Sequence, residues 1–485
     1  MSGLDIPEVI DSGDVTEWSD TVDVVVLGAG IGGCCAAVDA ASHGASVIVL
    51  ERSAAAGGTT CMAGGHFYLG GGTAVQQATG HPDSAEEMIK YITAVSRDPE
   101  PDKIRAYCED SVEHFDWLES LGFEFERSYY PEKAVIQPQT QGLMFTGNEK
   151  VWPFKDQAVP APRGHKVPVE GDTGGAGMVI ELLVKRLGEL NVPIRYEVGG
   201  RRLVVDDSGA VVGVQYKEGR TEGFIRATNV VIAAGGFVMN PDMVAEHVPQ
   251  LAEKPFTLGS TYDDGLGIRM GVSVGARLKH MDQAFITAPV YPPSVLLTGI
   301  IVNKEAKRFV AEDSYHSRTS GFVMDQTDRV AYLIVDEAHM ERPEFPLAPF
   351  IDGWETVEEM ADGLGLDRAA LVSTLERYNT YAVDGEDPDL HKSPEFLAPQ
   401  DRGPWAAFDM SLGKALYAGF TIGGMATTVD GAVLNESGSV IPGLYAAGAC
   451  AANLAQDGKG YASGTQLGEG SYFGRRAGRS AAAHT

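Results

Sequence analysis

The sequence has few cysteines and few basic residues, and both shortages exclude classes of protein. Its five cysteines form no C-x-x-C pair, which argues against structural disulfides and against a zinc site, so no metal is expected. Lysine and arginine together number 38 against 67 acidic residues, a formal net charge of −29. Because this charge would repel a phosphate backbone, no nucleic-acid partner is expected.

Long apolar runs are absent as well. No stretch approaches the roughly 18–20 apolar residues that span a bilayer, so no integral membrane segment is expected. The first residues are acidic (Asp5, Glu8, Asp11, Asp14), unlike those of a signal or transit peptide. The sequence therefore predicts a cytoplasmic protein whose residues 1–20 form a loose acidic lead-in.

Glycine is abundant, with 59 residues in a chain of 485. A chain of this length exceeds what one hydrophobic core usually serves, so two lobes are expected. With 44% hydrophobic and 22% charged residues, the composition is typical of a globular α/β enzyme.

A strand, a glycine-rich turn and a helix are predicted at the start of the fold. The apolar run 22–27 is typical of a buried parallel strand, and Gly28-Ala-Gly30-Ile-Gly-Gly33 follows it directly. In this G-x-G-x-x-G pattern the glycines make the turn, admit a pyrophosphate and permit helix–strand packing. Glu51 directly follows the next predicted strand, 46–50. Its carboxylate can accept hydrogen bonds from both ribose hydroxyls and would repel a 2′-phosphate.

A second glycine-rich stretch favours FAD over NAD. Residues 57–65, GGTTCMAGG, suit a backbone that approaches a flat ring and donates N–H groups to it. Residues 230–236 and 441–448 are each an apolar strand that ends in small residues, which leave room for a cofactor. The expected cofactor is noncovalent FAD, because the sequence contains no specific attachment motif.

The pattern along the rest of the chain predicts two segments around an insertion. A helix is expected at 174–190 and strands at 202–206, 211–216 and 229–234. Residues 278–414 are richer in proline, tyrosine and acidic side chains, and the glycine-rich texture then returns. The predicted organisation is an FAD-binding domain in segments 21–277 and 415–485, with an inserted substrate-binding and catalytic domain at 278–414.

Seven segments together resemble flavoproteins of the fumarate reductase and 3-ketosteroid dehydrogenase family, over about residues 21–480. They are GAGIGG (28–33), ER (51–52), GGTTCMAGG (57–65), VIAAGGFVMN (231–240), DDGLGIRM (263–270), IVNKEAKRF (301–309) and IPGLYAAG (441–448). The resemblance implies an α/β fold: a Rossmann-like FAD-binding domain of glutathione reductase-like topology, interrupted by an α+β capping domain.

The motifs and the resemblance together predict which residues contact FAD. They are Gly28, Ala29, Gly30, Gly33, Glu51, Arg52, Gly58, Thr59, Thr60, Ala63, Gly64, Gly65, Ala234, Gly235, Asp264, Gly448 and Leu467. One departure from the family concerns Ala449-Cys450, where many members have an acidic residue, so the flavin ribityl contact there is expected to be made differently.

The segment KGYASGTQLG (459–468) distinguishes between substrate classes. Dicarboxylate reductases resemble one another in having basic and imidazole groups and a G-G-N type segment here, whereas this chain has Tyr461 and Ser463. GYASG resembles most the Δ4-(5α)-3-ketosteroid dehydrogenases, while the Δ1 type has a tyrosine-proline-glycine arrangement. The resemblance therefore implies that a neutral 5α-3-ketosteroid is oxidised to the 4-ene-3-ketosteroid.

The resemblance also implies roles for three catalytic residues, Tyr315, Tyr461 and Ser463. Tyr461 and a backbone N–H near Gly464 or Thr465 would bind the C3 ketone and stabilise the developing enolate. A proton would leave C4 to Ser463, relayed by Tyr315, while a hydride passes from C5 to flavin N5. The order of the two bases, the electron acceptor and the oligomeric state stay open.

Three other functions remain open at this point: a Δ1-type 3-ketosteroid dehydrogenase, a fumarate- or urocanate-type flavin reductase, and a flavin-binding protein without turnover. The reductase would need cationic groups for its substrate carboxylates, and Arg308, Arg318 and Arg402 are the candidates. Four histidines are expected to be structural or solvated rather than acid–base groups. They are His43, His66, His165 and His316.

Overall fold

The computed structural model describes residues 5–135, 137–171, 173–252 and 255–485. The strands in these ranges are β1 (Ile10–Asp11), β2 (Asp20–Leu27), β3 (Val47–Glu51), β4 (His66–Tyr68), β5 (Glu126–Tyr129), β6 (Gln141–Leu143), β7 (Gly164–Lys166), β8 (Ile194–Tyr196), β9 (Val198–Val205), β10 (Val211–Glu218), β11 (Thr221–Ile232), β12 (Phe256–Thr257), β13 (Leu278–Thr287), β14 (Ile300–Asn303), β15 (Ala331–Asp336), β16 (Phe350–Trp354), β17 (Trp405–Asp409), β18 (Ala418–Ala426), β19 (Ala432–Leu434), β20 (Val440–Ala446) and β21 (Ala451–Ala452). The helices are α1 (Ile31–Ser42), α2 (Ala74–Ala78), α3 (Ala85–Val95), α4 (Pro101–Glu109), α5 (Ser111–Glu119), α6 (Ala176–Glu189), α7 (Pro241–His247), α8 (Pro249–Ala252), α9 (Leu266–Ser273), α10 (His316–Met324), α11 (Val357–Leu364), α12 (Arg368–Asp384) and α13 (Thr465–Ala483).

The largest sheet has a parallel centre and an antiparallel extension. Its strand order is β1-β9-β10-β11-β2-β3-β8, and β20 pairs with β11 and with β19. Strands β8, β3, β2, β11 and β20 are parallel, whereas β9, β10 and β11 pair antiparallel. The parallel strands are covered on both faces, which is why β3 is buried at every residue and why its first four residues are all apolar.

The carboxyl ends of the parallel strands meet at one edge of this sheet. Each of β2, β3, β11 and β20 ends directly before one of the predicted cofactor segments. Gly28, after β2, has a φ of +104°, and a Cβ there would lie 2.3 Å from the Ala233 carbonyl oxygen after β11. Only glycine allows these two chain segments to pass so closely. In open α/β sheets this edge is where ligands bind.

Helices α1 and α13 pack against each other through glycines. A Cβ on Gly474 would lie 2.5 Å from the Gly32 carbonyl oxygen, and one on Gly478 would lie 2.0 Å from that of Ala36. The two backbones are therefore in direct contact. This contact fixes where both helices begin, at Ile31 and Thr465, relative to the edge of the sheet.

A separate antiparallel sheet, β14-β15-β17-β16, lies wholly within residues 278–414, together with α10, α11 and α12. Strand β13, which begins at the predicted boundary, pairs antiparallel with β18 after the insertion. The predicted α/β class, with a second α+β region, agrees with this architecture, while the exact domain limits stay a prediction.

The lead-in is more ordered than its acidic composition indicates. Ile10 and Asp11 pair in parallel with Val204 and Val205, and the Trp18 ring contacts that of Phe224 edge-on. A few apolar side chains are sufficient to attach this segment to the sheet. The helices in the described ranges all lack the combination of length and apolar character that a bilayer crossing requires.

We expect Gly478→Ala to destabilise the protein by about 1–3 kcal/mol, because the added methyl group overpacks the α1–α13 contact. Gly188→Ala on α6 is the matched control, since a Cβ there meets no atom within 4 Å and alanine favours a helix. Thermal unfolding should show a lower midpoint for the first variant and an equal or higher one for the second. Equal midpoints for Gly478→Ala and the wild type would contradict this packing.

Candidate active site

A cavity of about 440 Å³ opens at the carboxyl edge of the parallel strands. This volume lies within the roughly 300–1,000 Å³ that is typical of ligand-binding pockets. Its wall comes from the segment after β2, the predicted stretch at 57–64, the segment after β11, the loop before α9, and the start of α13.

The nucleotide end of the cavity is built from backbone. Helix α1 begins after Gly30 without a side-chain cap, so the helix N-terminus faces the cavity, where an anion is favoured. The Thr60 hydroxyl accepts a hydrogen bond from the Ile31 N–H at 3.1 Å, which joins the 57–65 stretch to this turn. A pyrophosphate would fit beside Gly30, where a Cβ would approach other atoms no closer than 3.5 Å.

Glu51 lies on the cavity wall with its carboxylate held in place by two backbone amides. Oε2 accepts from the Ala29 N–H at 2.8 Å, and Oε1 accepts from the Ser53 N–H at 2.7 Å. A carboxylate has about four acceptor positions, so two remain for ribose hydroxyls. Beside it, Arg52 pairs with Asp264 at 2.6 Å and lies over the Tyr262 ring. This end of the cavity fits an adenosine.

Asp263 is a functional candidate that sequence reasoning missed, although the Asp-Asp-Gly pattern could have indicated it. Its carboxylate is buried and accepts a hydrogen bond from the Thr59 hydroxyl, which itself accepts from the Ser260 N–H at 2.8 Å. A Cβ on Gly235 would lie 2.1 Å from Asp263 Oδ1. Asp263 therefore ties the 57–65 stretch to the segment after β11.

Most of the residues predicted to contact FAD line the cavity. Ala29, Gly33 and Gly65 do not. A Cβ on Gly33 would lie 2.0 Å from the Gly28 carbonyl oxygen, and one on Gly65 would lie 2.4 Å from the Val167 side chain. These two glycines serve close packing behind the wall. The predicted FAD contacts of Ala29, Gly33 and Gly65 stay predictions.

The other end of the cavity has aromatic walls around Tyr461. The rings of Phe285 and Phe420 stack with centroids 4.7 Å apart, and Tyr461 meets Phe285 edge-on at 5.0 Å. The Tyr461 hydroxyl accepts a 3.4 Å hydrogen bond from the Gln466 N–H in the first turn of α13. Burial raises the pKa of Tyr461 above its usual value, so the phenol stays neutral and can donate.

Ser463 and Tyr315 come together although 148 positions separate them. Their hydroxyl oxygens are 2.7 Å apart. Ser463 lines the cavity, whereas Tyr315 lies behind it. Burial raises the pKa of Tyr315 well above the usual tyrosine value. The pair has the geometry of a short proton relay from the cavity wall into the inserted region.

Gly464 lines this end of the cavity, but Thr465 does not. The Thr465 amide and hydroxyl both donate to the Ala462 carbonyl oxygen, at 3.1 and 2.9 Å, and the residue faces a smaller neighbouring cavity. Of the two residues with predicted amide donors, Gly464 lines the cavity and Thr465 lies outside its wall. The substrate contacts of both stay predictions.

Asn148 joins the two chain segments that carry Tyr315 and Ser463. Its Oδ1 accepts from the Tyr315 N–H at 3.0 Å, and its Nδ2 donates to the Lys459 carbonyl oxygen at 3.3 Å. Two residues earlier, the Thr146 carbonyl oxygen accepts from the Ser463 N–H at 2.9 Å. Asn148 is fully buried, so these bonds are shielded from water.

Two of the four histidines expected to be structural or solvated lie on the cavity wall. His43 is exposed, and His165 is buried with both ring nitrogens hydrogen-bonded, as expected. His66 and His316 instead line the cavity, which their sequence context does not indicate. Burial lowers the pKa of each to about 3, so both imidazoles are neutral.

The three arginines that a carboxylate substrate would need lie elsewhere. Arg308 is buried between Glu312 and Asp387, with both contacts at 2.8 Å. Arg318 lies over the Phe154 ring, and Arg402 is exposed. Among the described residues of the cavity wall, the only lysine or arginine is Arg52, which is already paired at the adenosine end.

Comparisons with known proteins agree with this site. The family model described as FAD binding domain matches residues 23–468. The 3-ketosteroid Δ4-(5α)-dehydrogenase of Rhodococcus jostii RHA1, solved in complex with 4-androstene-3,17-dione, is 40% identical with a TM-score of 0.92. The alignment covers 98% of this chain and 99% of that one.

Sequence relatives include both dehydrogenases and reductases. A 3-oxo-5-alpha-steroid 4-dehydrogenase of Comamonas testosteroni is 29% identical over 91% of this chain and 96% of its own length. A urocanate reductase of Eggerthella lenta is also 29% identical, over 95% of this chain and 75% of its own length. The predicted fold class and the prediction of FAD as cofactor are confirmed.

We expect Glu51→Gln to weaken FAD binding about 10- to 100-fold, because hydrogen bonds to a charged acceptor contribute about 1.5–3 kcal/mol. Glu181→Gln, an exposed acidic position on α6, is the control and should bind FAD as the wild type does. Fluorescence titration of apoprotein with FAD measures both dissociation constants. An unchanged FAD dissociation constant for Glu51→Gln would refute the predicted contact between this carboxylate and the ribose.

Proposed function

This chain belongs to the FAD binding domain family and is an FAD-dependent oxidoreductase, and we propose that it oxidises a 5α-3-ketosteroid to the 4-ene-3-ketosteroid. The observation that carries the proposal is the 2.7 Å contact between Ser463 and Tyr315 beside Tyr461, in an aromatic end of the cavity. The 40% identity to a dehydrogenase solved with a steroid supports the same substrate class.

An apolar, uncharged substrate fits the walls of this end. Phe285, Phe420 and Leu258 supply apolar surface, and the nearby histidine, His316, is neutral. Burying a carboxylate here without a cationic partner would cost several kcal/mol. The cavity therefore favours a neutral ketone over a dicarboxylate.

Tyr461 and Gly464 would bind the C3 ketone of the substrate. Tyr461 and Gly464 both line the cavity, next to the N-terminal end of the 19-residue helix α13. Two donors together with the positive end of a helix stabilise negative charge that develops on the ketone oxygen. This charge acidifies the neighbouring C4–H bond.

Ser463 would take the C4 proton as its own proton passes to Tyr315, and the phenol proton of Tyr315 would pass on to water, so that both hydroxyls end neutral. Neither hydroxyl is a strong base, so most of the activation must come from enolisation at the ketone. The Asn148 and Thr146 contacts hold the relay in position. The chemistry that FAD would supply when bound is a two-electron oxidation in which the C5 hydrogen leaves as a hydride.

The test is anaerobic titration of the yellow holoenzyme with 5α-androstane-3,17-dione. We expect the flavin absorbance near about 450 nm to bleach with appearance of 4-androstene-3,17-dione, since the reduced flavin loses that band. Formation of a 1-ene product would favour the Δ1 type. Rapid reoxidation of reduced enzyme by fumarate or urocanate, with no response to the steroid, would overturn the proposal in favour of a reductase.

We expect Tyr461→Phe to slow flavin reduction by the steroid about 10²–10³-fold, the usual cost of removing one donor to a developing oxyanion, while FAD stays bound. Because burial raises the pKa of Tyr461, its phenol stays protonated, and the wild-type rate should not fall between pH 6 and 9 through its ionisation. Tyr332→Phe, on β15 and away from the cavity, is the control. An unchanged rate for Tyr461→Phe in stopped-flow experiments would refute its role.

A further inference from the structure

We propose that His66 hydrogen-bonds the polar edge of the flavin ring and raises its reduction potential. His66 begins β4, directly after the glycine-rich stretch 57–65. The proposal depends on FAD binding but not on the steroid, so the two proposals fail separately.

The His66 side chain is buried without partners. It is 3% exposed, it lines the cavity, and neither Nδ1 nor Nε2 has a hydrogen-bond partner in the described part of the chain. Burying an unpaired polar group costs about 1–3 kcal/mol, and native proteins rarely leave such groups unpaired. A ligand in the cavity that forms hydrogen bonds with the His66 ring nitrogens would offset this cost.

Two other buried histidines, His165 and His114, have partners on both ring nitrogens, whereas His316, which also lines the cavity, has one on Nδ1 alone. The ring nitrogens of His165 lie 2.8 Å from the Thr73 hydroxyl and 3.0 Å from the Arg163 carbonyl oxygen. Those of His114 lie 2.8 Å from the Ser471 hydroxyl and 3.2 Å from Arg475. His66 differs from both in facing the cavity, so its unpaired nitrogens indicate a ligand contact rather than loose packing.

His66 lies at the end of the cavity that is formed by Ser463 and Gly464. A Cβ on Gly464 would lie 3.1 Å from the His66 carbonyl carbon, and the Tyr68 N–H donates to the Gly464 carbonyl oxygen at 3.0 Å. Gly464 follows Ser463, whereas the adenosine end is marked by Glu51 and Arg52. His66 therefore lies beside the segment that faces the substrate.

The chemistry of a flavin selects the edge that His66 contacts. The dimethylbenzene edge has no hydrogen-bonding atoms, while the pyrimidine edge has carbonyl oxygens and ring nitrogens. Burial and the nearby Lys166 and His165 lower the pKa of His66 to about 3, so its imidazole is neutral, with one donor and one acceptor. Reduction adds electron density to the pyrimidine edge, and a donor there stabilises the reduced form more than the oxidised form.

The test compares the flavin midpoint potential of His66→Leu with that of the wild-type holoenzyme, by dye-coupled reduction without steroid. We expect His66→Leu to favour oxidised over reduced flavin about tenfold more than the wild type does. This corresponds to a midpoint potential lower by about 30 mV for a two-electron couple. His66→Gln, which keeps a donor and an acceptor, should lie between the two. His165→Gln is the control for loss of a buried histidine and should leave the potential unchanged.

A potential for His66→Leu equal to that of the wild type, with the same FAD dissociation constant, would overturn the proposal. If His66→Leu does not retain FAD, the His66→Gln variant is the test. The proposal would also be overturned if His66→Gln had the wild-type potential and FAD affinity while His165→Gln had a shifted potential. A shifted potential in an enzyme that ignores steroids would leave this inference standing and remove the proposed substrate.

Discussion

The direct backbone contact between α1 and α13 is the constraint on which the site depends. Helix α1 begins at the predicted pyrophosphate turn, and α13 begins beside Tyr461 and Ser463. Because Gly474 and Gly478 lie against the backbone of Gly32 and Ala36, the two helix starts are held at a fixed separation. The contact thus sets the distance between the cofactor end and the substrate end of one cavity.

The second constraint joins the inserted region to this framework. Tyr315 comes from that region and Ser463 from the last segment, yet both hydrogen-bond to the 146–148 stretch of the first segment. Three distant parts of the chain are therefore required to build one relay. Burial raises the pKa of Tyr315 and lowers that of His316, so both stay neutral, and in the proposed reaction polarisation of the ketone must replace a strong base.

The FAD half of the molecule is compatible with either direction of redox chemistry, in agreement with relatives that include dehydrogenases and reductases at similar identity. The two chemistries differ at the substrate end. Here the Arg308 side chain is paired with Glu312 and Asp387 and does not line the cavity. Among the described residues around Tyr461 the cavity wall has no lysine or arginine, and this is the physical basis for proposing a ketone as substrate.

The sequence by itself determined the parallel strands, the pyrophosphate turn, Glu51 and the choice of FAD, because these depend on spacings within short stretches of chain. It also predicted catalytic roles for Tyr315, Tyr461 and Ser463, through a resemblance rather than through their chemistry, and these roles stay predictions. Only the tertiary structure decided that His66 and His316 face the cavity, that Thr465 and Gly65 face away, and that Asp263 ties two loops together. The orientation of a side chain and the hydrogen bonds of its polar atoms depend on residues that are distant in sequence, as in the hydrogen bond between Thr59 and Asp263. No local sequence pattern contains this information.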